Sequence, residues 1–280
     1  ETVEPLMAAA APVAMVLTTA PQITRDPVYV VGRYNKYSRE ISNTAMVVGE
    51  ERLADDSVGE IVGRALVPLF SDAALSPFTY NFVSCGREDL DVRMLGSGRP
   101  FILEVKDPAR RVATGTSLAT AAVALNSSED RVALSRLGVV SRDETKPIKE
   151  AITAKRKAYY AVVSCSVAVP KVALAQLAPL APLTITQPTP VRVLHRRPNL
   201  ARSRTIHALS ASYINDHYFV LSLETQAGTY IKEFVHSDLG RTVPSLGDIL
   251  RPLLPGLAPD TAIECDLLQL DVAEVFAAYP

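Results

Sequence analysis

The sequence predicts an α+β protein whose strands pair in hairpins. Hydrophobic residues make up 48% of the 280-residue chain, enough for one large core or two modest ones. Strand patterns interleave with helical ones and are more numerous than a parallel α/β fold needs. The sequence shows no internal repeat. These observations favour a mixed architecture over a doubly wound parallel sheet.

The first elements are a strand and a capped helix. Residues 27–31 form a largely β-branched run that ends at Gly32 and predicts a strand. Ser57 and Glu60 match the capping box, in which the side chains and backbone at a helix start bond reciprocally. Apolar residues follow at helical spacing. We therefore expect a helix that begins after Ser57.

Two further strands enclose a charged turn. Aromatic residues alternate at positions 78, 80 and 82, and residues 101–105 form a short apolar run. Between them, residues 86–96 read Gly-Arg-Glu-Asp-Leu-Asp-Val-Arg-Met-Leu-Gly. We expect this turn to connect the two strands.

The second half of the chain continues the mixed pattern. Residues 132–140 and 159–169 predict strands, and the charged stretch between them predicts a helix entered at Pro147. Residues 172–190 are rich in Ala, Leu and Pro and predict a short helix followed by a connection between two lobes. The elements expected beyond that connection are strands at 191–194, 204–213 and 218–225 and a helix near Tyr230.

Charge and cysteine content narrow the classes of protein. The net charge of −1 gives no global argument for a nucleic-acid or membrane partner. The three cysteines, Cys85, Cys165 and Cys265, lack Cys-x-x-Cys spacing, which argues against structural zinc and a disulfide framework. Residues 6–20 are apolar but lack a basic flank and fall short of the about 20 residues of a membrane span. We expect an intracellular protein without a membrane anchor.

Two basic segments are candidates for phosphate contact. The first interleaves Arg33, Lys36 and Arg39 with tyrosines, a pattern that suits RNA, an acidic protein partner or a packed loop. The second contains no acidic residue and is dominated by arginine, whose planar donors suit phosphate. A solvated sheet edge is its alternative interpretation. Its members are Arg192, His195, Arg196, Arg197, Arg202 and Arg204.

The turn at 86–96 is a candidate for chemistry. Its carboxylates beside guanidinium groups suit a nucleophile, a general base or a metal ligand, whereas a surface ion-pair ladder is the alternative. Lys232 stands near a predicted helix start, where the helix dipole disfavours a cation. An ion pair with an anionic group outside the helix would explain a lysine at this position. An exposed first-turn lysine explains that position equally well.

Three motifs in this order resemble the signatures of pseudouridine synthases: Gly86-Arg87-Glu88-Asp89, Lys157-x-Tyr159-x-Ala161 and Gly228-Thr229-Tyr230-Ile231-Lys232. Longer segments at 32–39, 86–96, 189–198 and 226–236 are similar to the tenth-numbered family of archaeal and eukaryotic tRNA pseudouridine synthases. The resemblance covers nearly the whole chain after Asp26.

The resemblance implies a mixed, mostly antiparallel sheet flanked by helices, with a cleft crossing its middle. It makes residues 27–280 a catalytic domain of two lobes joined near 172–190. Residues 1–26 become a leading segment, interpreted as the remnant of an N-terminal RNA-binding domain. The implied partner is tRNA and the implied reaction needs no cofactor and no metal. We expect a monomer, and the compartment stays open among nucleus, cytoplasm and mitochondrion.

The resemblance also implies roles for individual residues. Asp89 is the expected nucleophile of uridine isomerisation in the T-arm loop, at position 54 or 55. Lys232 is expected to pair with Asp89, and Tyr159 to stack on the uracil and relay the proton at C5. The residues expected to contact the RNA are Arg33, Lys36, Arg39, Arg87, Tyr230, Arg192, Arg196 and Arg197.

A second aspartate competes for the nucleophile's role. The spacing from Asp91 to Gly96 fits one branch of the superfamily, whereas Gly86-Arg87-x-Asp89 fits another. We choose Asp89, because Val92 and Leu95 then also fall in register. Asp91 is expected to pair with Arg93 or Arg99. A catalytically silent RNA-binding module and a scaffold protein remain the alternative functions.

Two segments depart from the family pattern. Residues 42–44 stand where a Gln-Thr-Pro-like continuation is expected, and Ala45 replaces the proline. We expect this departure to loosen one loop and to leave the three motifs untouched. The Ala-, Thr- and Ser-rich segment between 107 and 129 aligns with nothing and receives no role.

Overall fold

The computed structural model describes residues 25–48, 51–52, 54–70, 79–109, 113–147 and 156–277. Most of the leading segment lies outside these ranges, as does most of the helix expected beyond Pro147.

Nine strands form one sheet, in the order β6-β1-β5-β11-β7-β10-β9-β8, with β4 also pairing with β5. Neighbouring strands are antiparallel except for β5 and β11, and the two-residue strands β2 and β3 pair only with each other. The predicted α+β class with a mixed, mostly antiparallel sheet is confirmed. The strands are β1 (Val28–Lys36), β2 (Val47–Val48), β3 (Glu51–Arg52), β4 (Tyr80–Ser84), β5 (Arg93–Val105), β6 (Val132–Val140), β7 (Lys157–Cys165), β8 (Leu183–Gln187), β9 (Arg202–Asn215), β10 (Tyr218–Thr225) and β11 (Cys265–Val275).

Helices flank the sheet. α1 begins after Ser57, whose hydroxyl accepts from the Glu60 backbone N–H as the capping box predicted. α4 follows Tyr230, close to the predicted position, and packs against β11 and α5. The helices are α1 (Val58–Leu66), α2 (Gly115–Ser128), α3 (Lys171–Leu174), α4 (Ile231–His236) and α5 (Leu246–Leu250).

α2 occupies part of the segment that received no role. Thr114 caps its start by accepting from the Ser117 backbone N–H. The Asn126 side-chain amide bonds both the N–H and the C=O of Leu134 on β6. The sequence of α2 has no apolar stripe by which to predict a helix, and in the structure the helix buries only Leu118.

The middle of the sheet is a narrow seam between β5 and β11. Only two residue pairs join these parallel strands, Arg93 with Asp271 and Met94 with Val272. Asp271 also bonds Arg39, so two arginines reinforce the seam. β11 then runs antiparallel along β7, from Cys265 opposite Cys165 to Val275 opposite Lys157. The charged turn, the start of β7 and the seam therefore meet in one region.

Several strand boundaries differ from the predictions. Residues 191–193 form a 3₁₀ turn rather than a strand. β5 begins at Arg93, so the second half of the predicted 86–96 turn is already strand. The predicted lobe connection contains α3 and β8, and β8 pairs with β9 within the same sheet. β10 has the predicted bounds.

Candidate active site

A cleft of about 420 Å³ opens over the seam of the sheet. Its walls are the turn after β4, the start of β7, the 3₁₀ turn at 191–193 and the start of α4. Eight of the eleven residues predicted for the site line this cleft: Arg87, Asp89, Tyr159, Arg192, Arg196, Arg197, Tyr230 and Lys232.

Asp89 lies between two cations in the cleft. Its Oδ2 is 3.1 Å from Arg192 Nη1 and 3.6 Å from Lys232 Nζ. Its side chain is 44% exposed, so a ligand can approach it. The expected pairing with Lys232 is present, and Arg192 is a second and closer partner.

Asp91 binds Lys232 more tightly than Asp89 does. Its two carboxylate oxygens lie 3.0 and 2.8 Å from Lys232 Nζ. Burial acts to raise the pKa of Asp91, but the hydrogen bond and charge of Lys232 outweigh it and lower that pKa. Asp91 is not among the residues that line the cleft.

The expectation that Asp91 pairs with Arg93 or Arg99 is wrong. Arg93 donates to Asp271 across the seam, and Arg99 donates to the buried Glu88. Both arginines belong to β5, and each is already paired with another carboxylate.

Glu233 anchors the second partner of Asp89. Its side chain is 2% exposed, and its Oε1 accepts from Arg192 Nε at 2.7 Å. Lys232 and Glu233 are consecutive on α4, so they project about 100° apart, one into the cleft and one into the interior. Sequence reasoning missed Glu233, although it stands directly beside a motif residue.

The inner side of the turn is a buried polar network. Arg99 Nε donates to Glu88 Oε2 at 2.8 Å, and both side chains are at most 1% exposed. The Tyr34 hydroxyl donates to Glu88 at 3.0 Å. Asn43 donates to that hydroxyl and accepts from Ser84. Asn43 therefore supports the turn indirectly, through Tyr34 and Ser84, neither of which belongs to the three motifs.

Arg33 and Lys36 are structural, which corrects the expectation that they contact RNA. Arg33 is 2% exposed and donates to Ser97 Oγ and to the carbonyl oxygens of residues 98 and 277. Lys36 is fully buried, and its Nζ donates to the carbonyls of Ile41, Asp89 and Leu90 at 2.8, 3.2 and 2.7 Å. Neither cation can reach a phosphate at the surface.

Arg39 also serves the fold. It donates to the carbonyls of Asp91 and Leu270, both at 2.8 Å, and to the Asp271 carboxylate at 2.6 Å. Arg39 thereby ties the turn to β11 and does not line the cleft.

Lys157 and Tyr159 form the wall opposite the turn. They lie two residues apart on β7, so both side chains point to the same face. Burial and the nearby charge of Arg99 lower the pKa of Lys157 to about 8. Burial raises the pKa of Tyr159 to about 12, against the opposing effect of Arg99. Sequence reasoning quoted Lys157 in a motif and gave it no role.

The rim of the cleft is positive. Arg87, Arg196 and Arg197 are exposed, and Arg197 Nη1 donates to the Tyr230 hydroxyl at 3.1 Å. Arg204, from the same basic segment, instead donates to the Gly228 carbonyl at 3.2 Å. The cleft therefore combines a cationic rim with an aromatic wall, a combination that suits an unstacked nucleotide.

Within the described ranges, no cluster of three or more His, Cys, Asp or Glu side chains could hold a metal ion. No helix in that part of the chain is long and apolar enough to cross a membrane.

Residues 29–275 match the family model described as Pus10, C-terminal. The chain belongs to this family. The resemblance found in the sequence is confirmed. Proteins named tRNA pseudouridine synthase Pus10 match it at 42% identity over 259 residues in Xenopus laevis and at 39% over 253 residues in Homo sapiens. The one from Pyrococcus furiosus matches at 35% over 226 residues.

These relatives are longer than the matched region. The alignments cover 92%, 90% and 80% of this chain but 47%, 45% and 54% of the Xenopus, human and Pyrococcus proteins. The chain thus spans about half the length of the curated Pus10 relatives it matches. Among solved structures, one chain of a Cbf5-Nop10-Gar1 complex aligns at 12% identity and a TM-score of 0.41, over 88% of this chain and 48% of that chain.

Proposed function

We propose that this chain is the catalytic part of a tRNA pseudouridine synthase in which Asp89 is the nucleophile. The observation that carries the proposal is the position of Asp89 in the cleft, between Arg192 at 3.1 Å and Lys232 at 3.6 Å. Relatives over nearly the whole chain are named tRNA pseudouridine synthase Pus10, which supports the same reaction.

The reaction is an isomerisation that the residues of the cleft can support without a redox partner. The Asp89 carboxylate adds to the uridine, the bond between C1′ and N1 breaks, the base turns, C1′ is rejoined to C5, and the bond to the carboxylate breaks so that Asp89 is regenerated. The hydrogen on C5 is lost and N1 gains one, so the formula is unchanged. A covalent step of this kind needs a carboxylate held in place, which Arg192 and Lys232 provide.

Asp89 is a better candidate than Asp91 on geometry. Asp89 lines the cleft, whereas Asp91 lies outside it with both oxygens on Lys232. Asp91 in this proposal fixes the ammonium group of Lys232, which in turn orients Asp89. The two aspartates then have different roles, although both form an ion pair with Lys232.

The proposed substrate is a uridine of the tRNA T-arm loop, at position 54 or 55. A base stacked in that loop must be extruded before a carboxylate can reach its ribose. Tyr159 offers the extruded uracil an aromatic surface, and the exposed Arg87, Arg196 and Arg197 can hold the flanking phosphates.

Matched substitutions test the nucleophile. Asp89→Asn and Asp91→Asn make the same change two residues apart, at side chains that both contact Lys232. We expect Asp89→Asn to lower pseudouridine formation in unmodified tRNA by a factor on the order of 10³ or more, and Asp91→Asn by about tenfold or less. The reverse order would overturn the choice of Asp89.

The wild-type chain supplies the test of the function itself. We expect pseudouridine in the T-arm loop, and transcripts with cytidine at position 54 or at 55 decide which uridine is modified. If the wild-type chain binds tRNA but forms no pseudouridine at either position, it is a silent RNA-binding module.

A further inference from the structure

Lys157 lines the cleft but has no role in the reaction proposed above. It opens β7, between the uncharged Thr225 of β10 and Val275 of β11. Its side chain shares a face with Tyr159, and both line the cleft. Within the described ranges, its ammonium group has no hydrogen-bond or ion-pair partner.

The ammonium group of Lys157 lies against the start of the turn that bears Asp89. A Cβ placed on Gly86 would lie 3.5 Å from Lys157 Nζ and 3.0 Å from Arg99 Nη1. Gly86 also has a φ of +85°, so both its conformation and this close approach require glycine. Two cations therefore converge at a point three residues before Asp89.

The two converging cations differ in what they bind. Arg99 already donates to Glu88 at 2.8 Å and to the Cys85 carbonyl at 2.9 Å. Lys157 makes no such contact and faces the open cleft. Both line the cleft, but Arg99 already has two acceptors, whereas Lys157 keeps its donors for a substrate.

The surroundings of Lys157 favour its neutral amine. The groups that face it are Arg99 on β5 and Glu88 and Cys85 in the turn. Burial and Arg99 lower its pKa, Glu88 and Cys85 act to raise it, and the balance is about 8. The pKa of Tyr159 is raised to about 12 in the same cleft. Near neutral pH a minority of Lys157 is the free amine, whereas the Tyr159 hydroxyl keeps its proton.

We propose that Lys157 moves the proton from C5 to N1 of the uracil in the last step of the isomerisation. The proposal rests on the function proposed above. After C1′ is joined to C5, that carbon still bears its hydrogen and the ring has a double bond between C6 and N1. The amine takes the proton from C5, the electrons of that bond form the double bond between C5 and C6, and N1 takes the proton back from the ammonium. The lysine ends as it began, and no co-reactant is consumed.

This assignment changes the role expected of Tyr159. A phenol that keeps its proton is a poor acceptor for the hydrogen on C5. Tyr159 then serves as the surface on which the uracil stacks, and its neighbour two residues earlier on β7 performs the proton transfer.

Two substitutions separate a base from a fixed cation. Lys157→Met removes the amine and Lys157→Arg keeps a cation that cannot lose its proton. We expect both to lower the kcat of pseudouridine formation by about 10²- to 10⁴-fold, the range for loss of a general base. The exposed Lys146→Met is the matched control and should retain wild-type kcat. Thermal unfolding of all three variants checks that they are folded.

The pH dependence and isotope substitution add readouts that a structural role would not move. The wild-type rate should rise with pH up to about 8 and then level off, since the amine must be neutral. That limb should be absent in Lys157→Met. In tRNA with deuterium at C5, the isotope effect on kcat should be larger for Lys157→Met than for the wild type, because the proton transfer has become slow.

The outcomes distinguish this proposal from the one on which it rests. If Lys157→Arg keeps wild-type kcat, or if Lys157→Met keeps the rising limb, Lys157 is not the base although the chain is still a pseudouridine synthase. If the wild-type chain forms no pseudouridine, both proposals fall.

Discussion

Glu88 and Asp89 are consecutive carboxylates with opposite surroundings. Glu88 faces the interior, where it accepts from Arg99 and Tyr34 and is fully enclosed. Asp89 faces the cleft between Arg192 and Lys232 and stays 44% exposed. A polypeptide turn projects neighbouring side chains in different directions, so one charged turn has a structural side and a chemical side. The density of charged residues in the sequence does not show which carboxylate faces the interior and which faces the cleft.

The largest expected effect is on stability, from Glu88→Gln. It leaves Arg99 buried without a counter-charge, which typically costs about 3–5 kcal/mol in the free energy of unfolding. Asp89→Asn, at the half-exposed neighbour, should change that free energy by about 0.5 kcal/mol or less. Urea unfolding measures both, and equal effects would contradict the division of the turn into two sides.

A double variant controls for simple loss of shape. Glu88→Gln combined with Arg99→Met removes both charges of the buried pair. It should recover part of the stability lost in Glu88→Gln, since no uncompensated charge remains. A further loss would mean that Arg99 acts mainly through the Cys85 carbonyl to which it also donates.

A smaller effect, on kcat, is expected from Glu233, which links the buried interior to the cleft through Arg192. Glu233 is buried like Glu88, yet it acts on the cleft by holding Arg192 at 2.7 Å. Glu233→Gln keeps an acceptor but removes the charge, so Arg192 loses its fixed direction toward Asp89. We expect kcat for pseudouridine formation to fall about 10- to 100-fold, because misplacement of a positioning group costs this much. KM for tRNA should change little.

The matched control for Glu233→Gln is the same substitution at Glu224. Glu224 also accepts from an arginine, Arg156, at 2.9 Å, but this pair lies outside the cleft. Glu224→Gln should leave kcat unchanged. Equal losses at both positions would show that the loss of any carboxylate paired with an arginine disturbs the reaction.

The smallest effect is a slope of stability with pH. Burial lowers the pKa of Lys36 from 10.5 to about 8, so between these values the unfolded chain binds more protons than the folded one. The free energy of unfolding should therefore rise with pH from about 8 to 10, by no more than about 1.4 kcal/mol per pH unit for this group. Above pH 10 the tyrosines reverse the trend, since burial raises the pKa of Tyr34 and Tyr159 in the folded chain.

Urea unfolding at pH 8, 9 and 10 checks this slope. Lys36→Met should reduce it, because the buried titrating group is gone. The exposed Lys106→Met should leave it unchanged. A slope that survives Lys36→Met would assign the effect to Lys157, the other lysine whose pKa is lowered to about 8.

The sequence predicted the fold class and most of the cleft, for identifiable reasons. The capping box at Ser57, the alternation of β10 and the ordered motifs are local signals, and each describes one element. β11 was missed, although it lies in the middle of the sheet, because its place depends on pairing with two strands far away in the sequence. α2 was missed because its Ala, Ser and Thr residues follow no apolar periodicity.

The candidate site residues show the same contrast between local signals and distant contacts. Cations in motifs were assigned to RNA, and those at the rim of the cleft, Arg87, Arg196 and Arg197, are exposed. Arg33 and Lys36 are in fact buried, since β1 lies between two other strands of the sheet. Glu233 went unnoticed because its role arises from a contact with Arg192, 41 positions away, which no local pattern encodes. Asn43 received no role because its contact with Ser84 likewise spans 41 positions.

β11 has a consequence for how the protein is made. In the described part of the chain it is later in the sequence than every other strand, yet it separates β5 from β7. A ribosome releases residues 28–225 before residues 265–275. Until then, the strand after the Asp89 turn and the strand that bears Tyr159 lack the partner that joins them. The cleft therefore cannot assemble until residues 265–275 have been synthesised, so the two walls that bear Asp89 and Tyr159 form early and are joined late.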